Sequence, residues 1–380
     1  MPTRFIHDKM ANQSMRFALI VTNLAGGGAE KALLNLGAAL VRHGHRVHMV
    51  LLEEKRDHVV PAEVTLSVLS RPGKRLSKGW WGRRYAAWLL RRHFQRLAKE
   101  DPFDLVISTL PFADEVTIRA GIPRHWCRIA NTLSAEVAKL AQQNPRKALR
   151  RLHRYRRLYG SRPLIAVSEG VAEDLRGALG LTSVRIEHIY NAFDFAAMRA
   201  LSREPVPGLP AEPFVLHIGR FNPQKRHDLL LAAWQRVTSH HKLLLMTQPN
   251  PLLQALIAGQ GLADRVQIIG FQSNPYPWIA AADLLVLCSD HEGMPNVLVE
   301  SLVCGTPVVA TDCPSGPREI LGRDLPEALV PMNNPMALAQ KVEQFLHRPP
   351  DLEQVNLSAY SSQIAVLSHE KLAMTETMRI

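Results

Sequence analysis

Cysteine and long apolar runs are scarce in this chain of 380 residues, and each shortage removes a class of protein. The four cysteines, Cys127, Cys288, Cys304 and Cys313, form no CxxC pair and show no metal-ligand spacing with histidine. Neither zinc nor a disulfide framework is expected, and the thiols read as reduced ones of a cytosolic protein. No apolar stretch approaches the ~18 residues a membrane-crossing helix needs. The run from Ala281 to Cys288 is short and interrupted by Asp283. Asp8 and Lys9 stand where a signal peptide would have its apolar segment, so secretion is not expected, and residues 1–14 read as an N-terminal extension. What remains is the composition of a folded protein, 46% apolar and 21% charged. Its length suits two domains of roughly 150 residues or more.

Acidic residues are scarce in one half only. Residues 1–195 carry 32 Lys/Arg against 17 Asp/Glu and residues 196–380 carry 14 against 17, within a formal net charge of +12. The basic half should meet something anionic. Arg71 to Lys99 holds ten basic residues and no acid, interleaved with Trp80, Trp81, Tyr85, Trp88 and Phe94; Arg146 to Arg162 holds eight and no acid. A basic helix with tryptophans on its apolar side is the pattern of a segment lying in an anionic membrane surface, which makes Trp80, Trp81, Arg83, Arg84 and Trp88 candidates for membrane or acceptor contact. For Arg146 to Arg162 a second reading stands beside it: leucines and tyrosines pack on the core while the arginines are solvated. Nucleic acid is the rival partner, but no recognised nucleic-acid motif is present and none is expected to bind.

The order of elements is alternating. Arg16 to Thr22 reads as a buried parallel strand, Gly26-Gly27-Gly28 as a loop, Ala29 to Arg42 as a helix and Val47 to Leu52 as a second strand. Further strands are expected at Leu105 to Ser108, Ile165 to Val167 and Val184 to Ile189. Four prolines between Ser202 and Phe214 read as a linker. The alternation then restarts, with strands at Phe214 to Ile218, Lys242 to Met246, Val266 to Ile269, Leu284 to Cys288 and Pro307 to Thr311. The expected architecture is α/β: two tandem doubly wound, Rossmann-like domains, residues 15–200 and 215–358, joined by a linker at 201–214, with a ligand site in the interdomain cleft.

Within Ser289 to Thr311, Pro295 stands where a helix begins and Gly305 with Pro307 where it stops. That helix N-terminus points into the cleft, and free N–H groups around Asn296 and Val297 suit a pyrophosphate. Glu292 precedes it and Glu300 lies about one turn inside, so the two acids can reach opposite ends of one bound molecule, each suited to vicinal hydroxyls. The alternative is an ordinary N-terminal acid and a solvated helix residue.

The spacing E-G-x-P-x-x-x-x-E, here Glu292, Gly293, Pro295 and Glu300, resembles the glutamate pair of the retaining glycosyltransferases of the GT-B fold in family 4 (group 1). The resemblance extends to GGGAEK (Gly26 to Lys31), IAVSEGVAEDL (Ile165 to Leu175), IYNAFD (Ile189 to Asp194), HIGRFNPQKRHDLLLAAW (His217 to Trp234), GFQSNPY (Gly270 to Tyr276) and TDCPSGPREIL (Thr311 to Leu321). It implies that Arg220 and Lys225 hold the donor diphosphate, that Glu300 bonds the ribose and that Glu292 binds hydroxyls of the transferred sugar near the reacting carbon. It further implies that the segment Gly293, Met294, Pro295, Asn296 and Val297 binds the donor, with backbone N–H groups within Met294 to Val297 on its phosphate, and that the stretch Gly270 to Tyr276, with Phe271, frames the base. Ser315, Gly316 and Glu319 would close the rim, and Gly27 and Gly28 would approach the diphosphate from the first domain. The implied activity is transfer of a hexose or hexosamine with retention, from a nucleotide sugar such as a UDP-sugar to a membrane-bound glycolipid, on the cytoplasmic face of the inner membrane. No metal and no cofactor is implied. Residues 359–380 would pack back on the first domain.

Two departures from the family pattern matter. MTQPNP (Met246 to Pro251) replaces a glycine-rich turn, and IANTLSAE (Ile129 to Glu136) lacks the histidine many relatives have near the sugar. His125 is not assigned that role, and Ser108, Thr109, Asn131 and Thr132 are the polar residues available at strand ends. Other readings are a nicotinamide site at the glycine loop with Glu53 or Glu54, disfavoured because Lys31 breaks the G-x-G-x-x-G pattern; a sugar-nucleotide epimerase; and a nucleic-acid-binding module.

Overall fold

The computed structural model describes residues 14–25, 27–71, 76, 79–99 and 101–378. Gly26 of the glycine loop, Lys74, Arg75 and Lys78 of the basic stretch, and residues 1–13 of the proposed extension lie outside the described residues.

Among the described residues there are two wholly parallel sheets. The first has seven strands in the order β3-β2-β1-β4-β5-β6-β7: β1 (Arg16–Val21), β2 (Arg46–Leu51), β3 (Thr65–Val68), β4 (Leu105–Thr109), β5 (His125–Ile129), β6 (Leu164–Ala166) and β7 (Ile186–His188). The second has six in the order β10-β9-β8-β11-β12-β13: β8 (Phe214–Ile218), β9 (Lys242–Met246), β10 (Val266–Ile268), β11 (Leu284–Leu287), β12 (Val308–Thr311) and β13 (Leu329–Val330). Parallel pairing requires crossovers, and helices supply them. In the first half these are α1 (Gly28–Arg42), α2 (Trp80–Leu97), α3 (Pro111–Ala120), α4 (Leu133–Gln143), α5 (Pro145–Tyr159) and α6 (Glu169–Arg176), while α7 (Phe195–Leu201) follows the last strand of the first sheet. In the second they are α8 (His227–Trp234), α9 (Pro251–Gly259), α10 (Tyr276–Ala281), α11 (Asn296–Val303) and α12 (Pro317–Leu321); α13 (Pro335–His347) and α14 (Ser362–Thr377) follow the last strand.

The central strands are buried on both faces, which is why they read as unbroken apolar runs: β1, β4 and β11 are almost wholly solvent-excluded. In both sheets the strand order reverses beside the first strand of the unit, β1 or β8, and loops leaving the carboxyl ends of the strands meet there. The last helix, α14, returns to the first sheet: Ala365, Val366, Leu372 and Ala373 share a core with Phe17, Leu19 and Leu40. His45 and Glu370 make contact there at 2.6 Å.

Three strands escape the reading of the sequence. β3 and β13 are short, and β5 carries His125 and Arg128 in the chain interior, where an apolar pattern cannot reveal it. Tyr155, Leu158 and Tyr159 of α5 are buried in the core, so for that stretch the packing reading holds for the tyrosines while Leu149 stays 54% exposed.

Candidate active site

The second domain builds most of the site from two loops. After β8 the chain passes Arg220 and makes a short 3-10 turn, Pro223–Lys225, whose N-cap Asn222 accepts a hydrogen bond from the Lys225 N–H at 3.0 Å. The loop is pinned to its neighbour: Gln224 Nε2 donates to the His291 carbonyl at 2.7 Å and the Asp290 N–H to the Gln224 carbonyl at 2.8 Å. This braced turn carries the Lys225 ammonium to Glu292, with Nζ donating to Oε1 at 2.6 Å. The two residues are 67 positions apart, and the acid's side chain is 9% exposed.

Pro295 is the residue before the first turn of α11 rather than inside it, so the N–H groups of Asn296 and Val297 open the helix with its positive dipole end toward the first domain. Gly293 is required by contact. It pairs with Asn131 in an isolated antiparallel bridge, and a Cβ at Gly293 would stand 2.2 Å from the Ala130 carbonyl oxygen. Thr132 Oγ1 donates to the Glu292 carbonyl at 2.5 Å and shares a second hydrogen bond with the Ser315 hydroxyl, Oγ to Oγ1 2.9 Å. The EG segment is thus clamped between two domains.

The first domain faces this from α1. Its opening carbonyl, Gly28 O, accepts from Asn296 Nδ2 at 3.2 Å. Asn191, in the loop after β7, donates through Nδ2 to Asn296 Oδ1 at 2.6 Å and through its N–H to Met294 Sδ at 3.4 Å. Behind Asn191 lies Arg128, which donates to its Oδ1; the guanidinium is buried, with Nη1 unpartnered among the described residues, and burial lowers its pKa to about 10. That leaves it cationic at neutral pH.

Lys31, one turn into α1, reaches Glu300: Nζ donates to Oε1 at 2.7 Å and lies 4.7 Å from the Tyr276 ring centroid. Burial opposes the ammonium's charge, but the Glu300 carboxylate and Tyr276 outweigh it and hold Lys31 above the ordinary lysine range. Beside this pair His58, from the loop after β2, meets Phe271 edge to face with centroids 6.0 Å apart, and Phe271 is 42% exposed. Arg220 is exposed, and its charge is felt by Glu30 in the first turn of α1, where burial is the larger effect and raises the carboxyl.

The structure therefore brings Lys225, Glu292, Gly293, Met294, Asn296, Glu300, Gly27 and Gly28 around one cleft, with Phe271 at its edge. Trp80, Trp81, Arg83, Arg84 and Trp88 lie apart on α2. Glu319 is turned to the first domain, where it accepts the Glu169 and Gly170 N–H groups at 2.8 Å each. Beyond the predicted set, the structure adds Lys31, His58, Arg128, Lys139 and Asn191. The signal for Lys31 and Asn191 was their place in GGGAEK and IYNAFD; nothing local marks the others. Lys139 donates to Asp290 Oδ2 at 2.5 Å and to the Pro223 carbonyl at 2.7 Å, a further strut between domains.

Residues 26–197 match the family described as Glycosyltransferase Family 4, and residues 212–348 match Glycosyl transferases group 1. The chain belongs to these glycosyltransferases, and its two-domain α/β architecture is the GT-B fold. Along 87% of its length it is 25% identical to 90% of a Campylobacter jejuni enzyme, N-acetylgalactosamine-N,N'-diacetylbacillosaminyl-diphospho-undecaprenol 4-alpha-N-acetylgalactosaminyltransferase. Over 41% of the chain it is 28% identical to 45% of the lipopolysaccharide 1,6-galactosyltransferase of Salmonella typhimurium. A solved structure of HepE from Anabaena, in complex with UDP and glucose, superposes with a TM-score of 0.63 at 20% identity over 96% of this chain and 98% of that one.

Proposed function

We propose that the protein is a retaining α-glycosyltransferase that moves a sugar from a UDP-sugar to a membrane-associated glycolipid without a metal ion. The observation that carries this reading is the Lys225–Glu292 pair at the N-terminus of α11, facing the Gly27–Gly28 end of α1 across a cleft. A diphosphate in that cleft would meet Lys225, Arg220 and the N–H groups of Asn296 and Val297, cations and dipoles aimed at the charge that develops as the nucleotide departs. Glu292 would bind hydroxyls of the transferred sugar and Glu300 those of the ribose. The anomeric carbon–oxygen bond to the diphosphate breaks while the acceptor oxygen attacks on the same face, and a departing phosphate oxygen takes the acceptor's proton.

The acceptor reading draws on the lipid diphosphate and lipopolysaccharide named for the relatives, and on the surface of α2. Trp80, Trp81, Tyr85 and Trp88 are 53%, 77%, 56% and 48% exposed. Arg84 lies 4.9 Å from the Trp80 ring centroid and Arg92 4.9 Å from that of Trp88. Exposed tryptophans beside cations suit the headgroup layer of an anionic bilayer, and in this reading the enzyme attaches peripherally to the cytoplasmic face of the inner membrane. Among the described residues no helix is long and apolar enough to cross a membrane. A thermal-shift series with UDP, GDP and UDP-sugars tests the donor reading. UDP should raise Tm by several degrees at saturating concentration, and a series in which no nucleoside diphosphate does so overturns it. Analysis of the product anomer tests retention.

A further inference from the structure

Three guanidinium groups from three helices converge on one carboxylate. Arg83 of α2, Arg119 of α3 and Arg154 of α5 lie 3.2, 2.9 and 2.6 Å from the oxygens of Glu115. The acid lies deepest, its side chain 7% exposed, and the arginines form the rim at 22%, 32% and 34%. Burial works against the charge of Glu115, but Arg119 and Arg154 outweigh it and hold the carboxyl below the ordinary range. One negative charge thus stands against three positive ones. An ion pair that served only to fasten helices would be balanced; this one leaves an excess of cation at the surface. It also leaves donors unused, because each guanidinium has five N–H groups, while Arg119 commits Nε and Nη2 and Arg154 commits Nη2 to Glu115. Converging guanidinium forks with spare donors match the oxygens of a phosphate.

The cluster lies between the two surfaces that matter. Asp114, next to Glu115, accepts from Ser108 Oγ at 2.5 Å and so ties the cluster to the carboxyl end of β4. On the other side, Arg83 sits one turn from the exposed Trp80 and Trp81. We infer that Arg83, Arg119 and Arg154 form a receptor for the phosphate or diphosphate of the lipid that presents the acceptor sugar. The lipid chain leaves past the tryptophans and the glycan points toward the cleft. The inference rests on the glycolipid reading above and names the residues that would carry it.

Farnesyl diphosphate, a short lipid diphosphate, is the probe, titrated into the full chain and followed by tryptophan fluorescence. Saturable binding is expected, with Arg119→Gln/Arg154→Gln weakening it about tenfold or more, Arg119→Lys/Arg154→Lys keeping most of it, and Glu115→Gln tightening it by removing the opposing charge. Farnesol should bind wild type and variants alike. Absence of farnesyl diphosphate binding to the wild type, or wild-type affinity in the double glutamine variant, overturns the inference. Vesicles of phosphatidylcholine and phosphatidylglycerol separate the two sources of phosphate. A double glutamine variant that loses the vesicles but keeps farnesyl diphosphate makes this a bilayer-headgroup site and overturns the acceptor role. The UDP thermal shift, measured on the same variants, reports the donor site independently; its absence beside tight, arginine-dependent farnesyl diphosphate binding counts against the transferase reading and still supports the phosphate receptor.

Discussion

Lys31 of the first domain and Glu300 of the second form an ion pair across the cleft, Nζ to Oε1 2.7 Å, with the acid's side chain 4% exposed. Glu300 is the residue the motif assigns to the ribose, and its cation comes from the opposite domain. Removing one partner of a buried pair leaves an uncompensated charge, at about 3–5 kcal/mol. Lys31→Met should therefore lower stability in urea melts by about that amount, and Lys31→Met/Glu300→Gln should recover most of it. Equal stability of Lys31→Met and wild type would refute the coupling.

Glu292→Ala and Lys225→Ala should each reduce transfer from labelled donor by about 10²–10³ in kcat, the range for a single group that stabilises transition-state charge. Circular dichroism and Tm check that the fold survives. Full activity in either variant sinks the assignment of these two residues to the reaction.

Replacing Trp80 and Trp81 together by alanine should weaken co-sedimentation with anionic vesicles about tenfold or more, since a buried aromatic side chain is worth about 1.5–3 kcal/mol. Activity on a soluble acceptor analogue should be unchanged. Vesicle binding equal to wild type assigns these rings to another partner.

Asp114 is enclosed by Ser108, Tyr159, Cys127 and Arg128, and burial raises its carboxyl to about 7. Its folded pKa lies above the unfolded one, near 4, so the native state holds the proton that the unfolded chain releases. This residue's contribution to stability falls as pH rises from about 4 to about 7 and is flat above that. Asp114→Asn should remove the decline, making the variant gain on wild type between pH 5 and 8 in denaturant melts; a constant difference across that range contradicts the assignment.

Much of this was legible along the chain because buried parallel strands must be apolar on both faces. Phe214–Ile218 and Lys242–Met246 coincide with the expected strands for that reason. β5 did not, because His125 and Arg128 interrupt its pattern; each is buried, and burial lowers the His125 pKa to about 3. Glu292, Gly293 and Glu300 were visible because one loop and one helix turn carry all three. The partners of Lys31, Asn191 and Arg128 are not legible locally, because they lie more than a hundred positions away or behind another side chain.

The sequence alone determined the two alternating α/β units, the glutamate motif at a helix start and the concentration of basic charge in one half. These are local properties: periodicity, turn chemistry and composition are written residue by residue. The tertiary structure decided the pairings, Lys225 with Glu292, Lys31 with Glu300, and Arg83, Arg119 and Arg154 with Glu115. A charge's partner is set by distances of a few ångströms in space, and only the packing of helices and loops at the ends of the two sheets brings those groups within reach of one another.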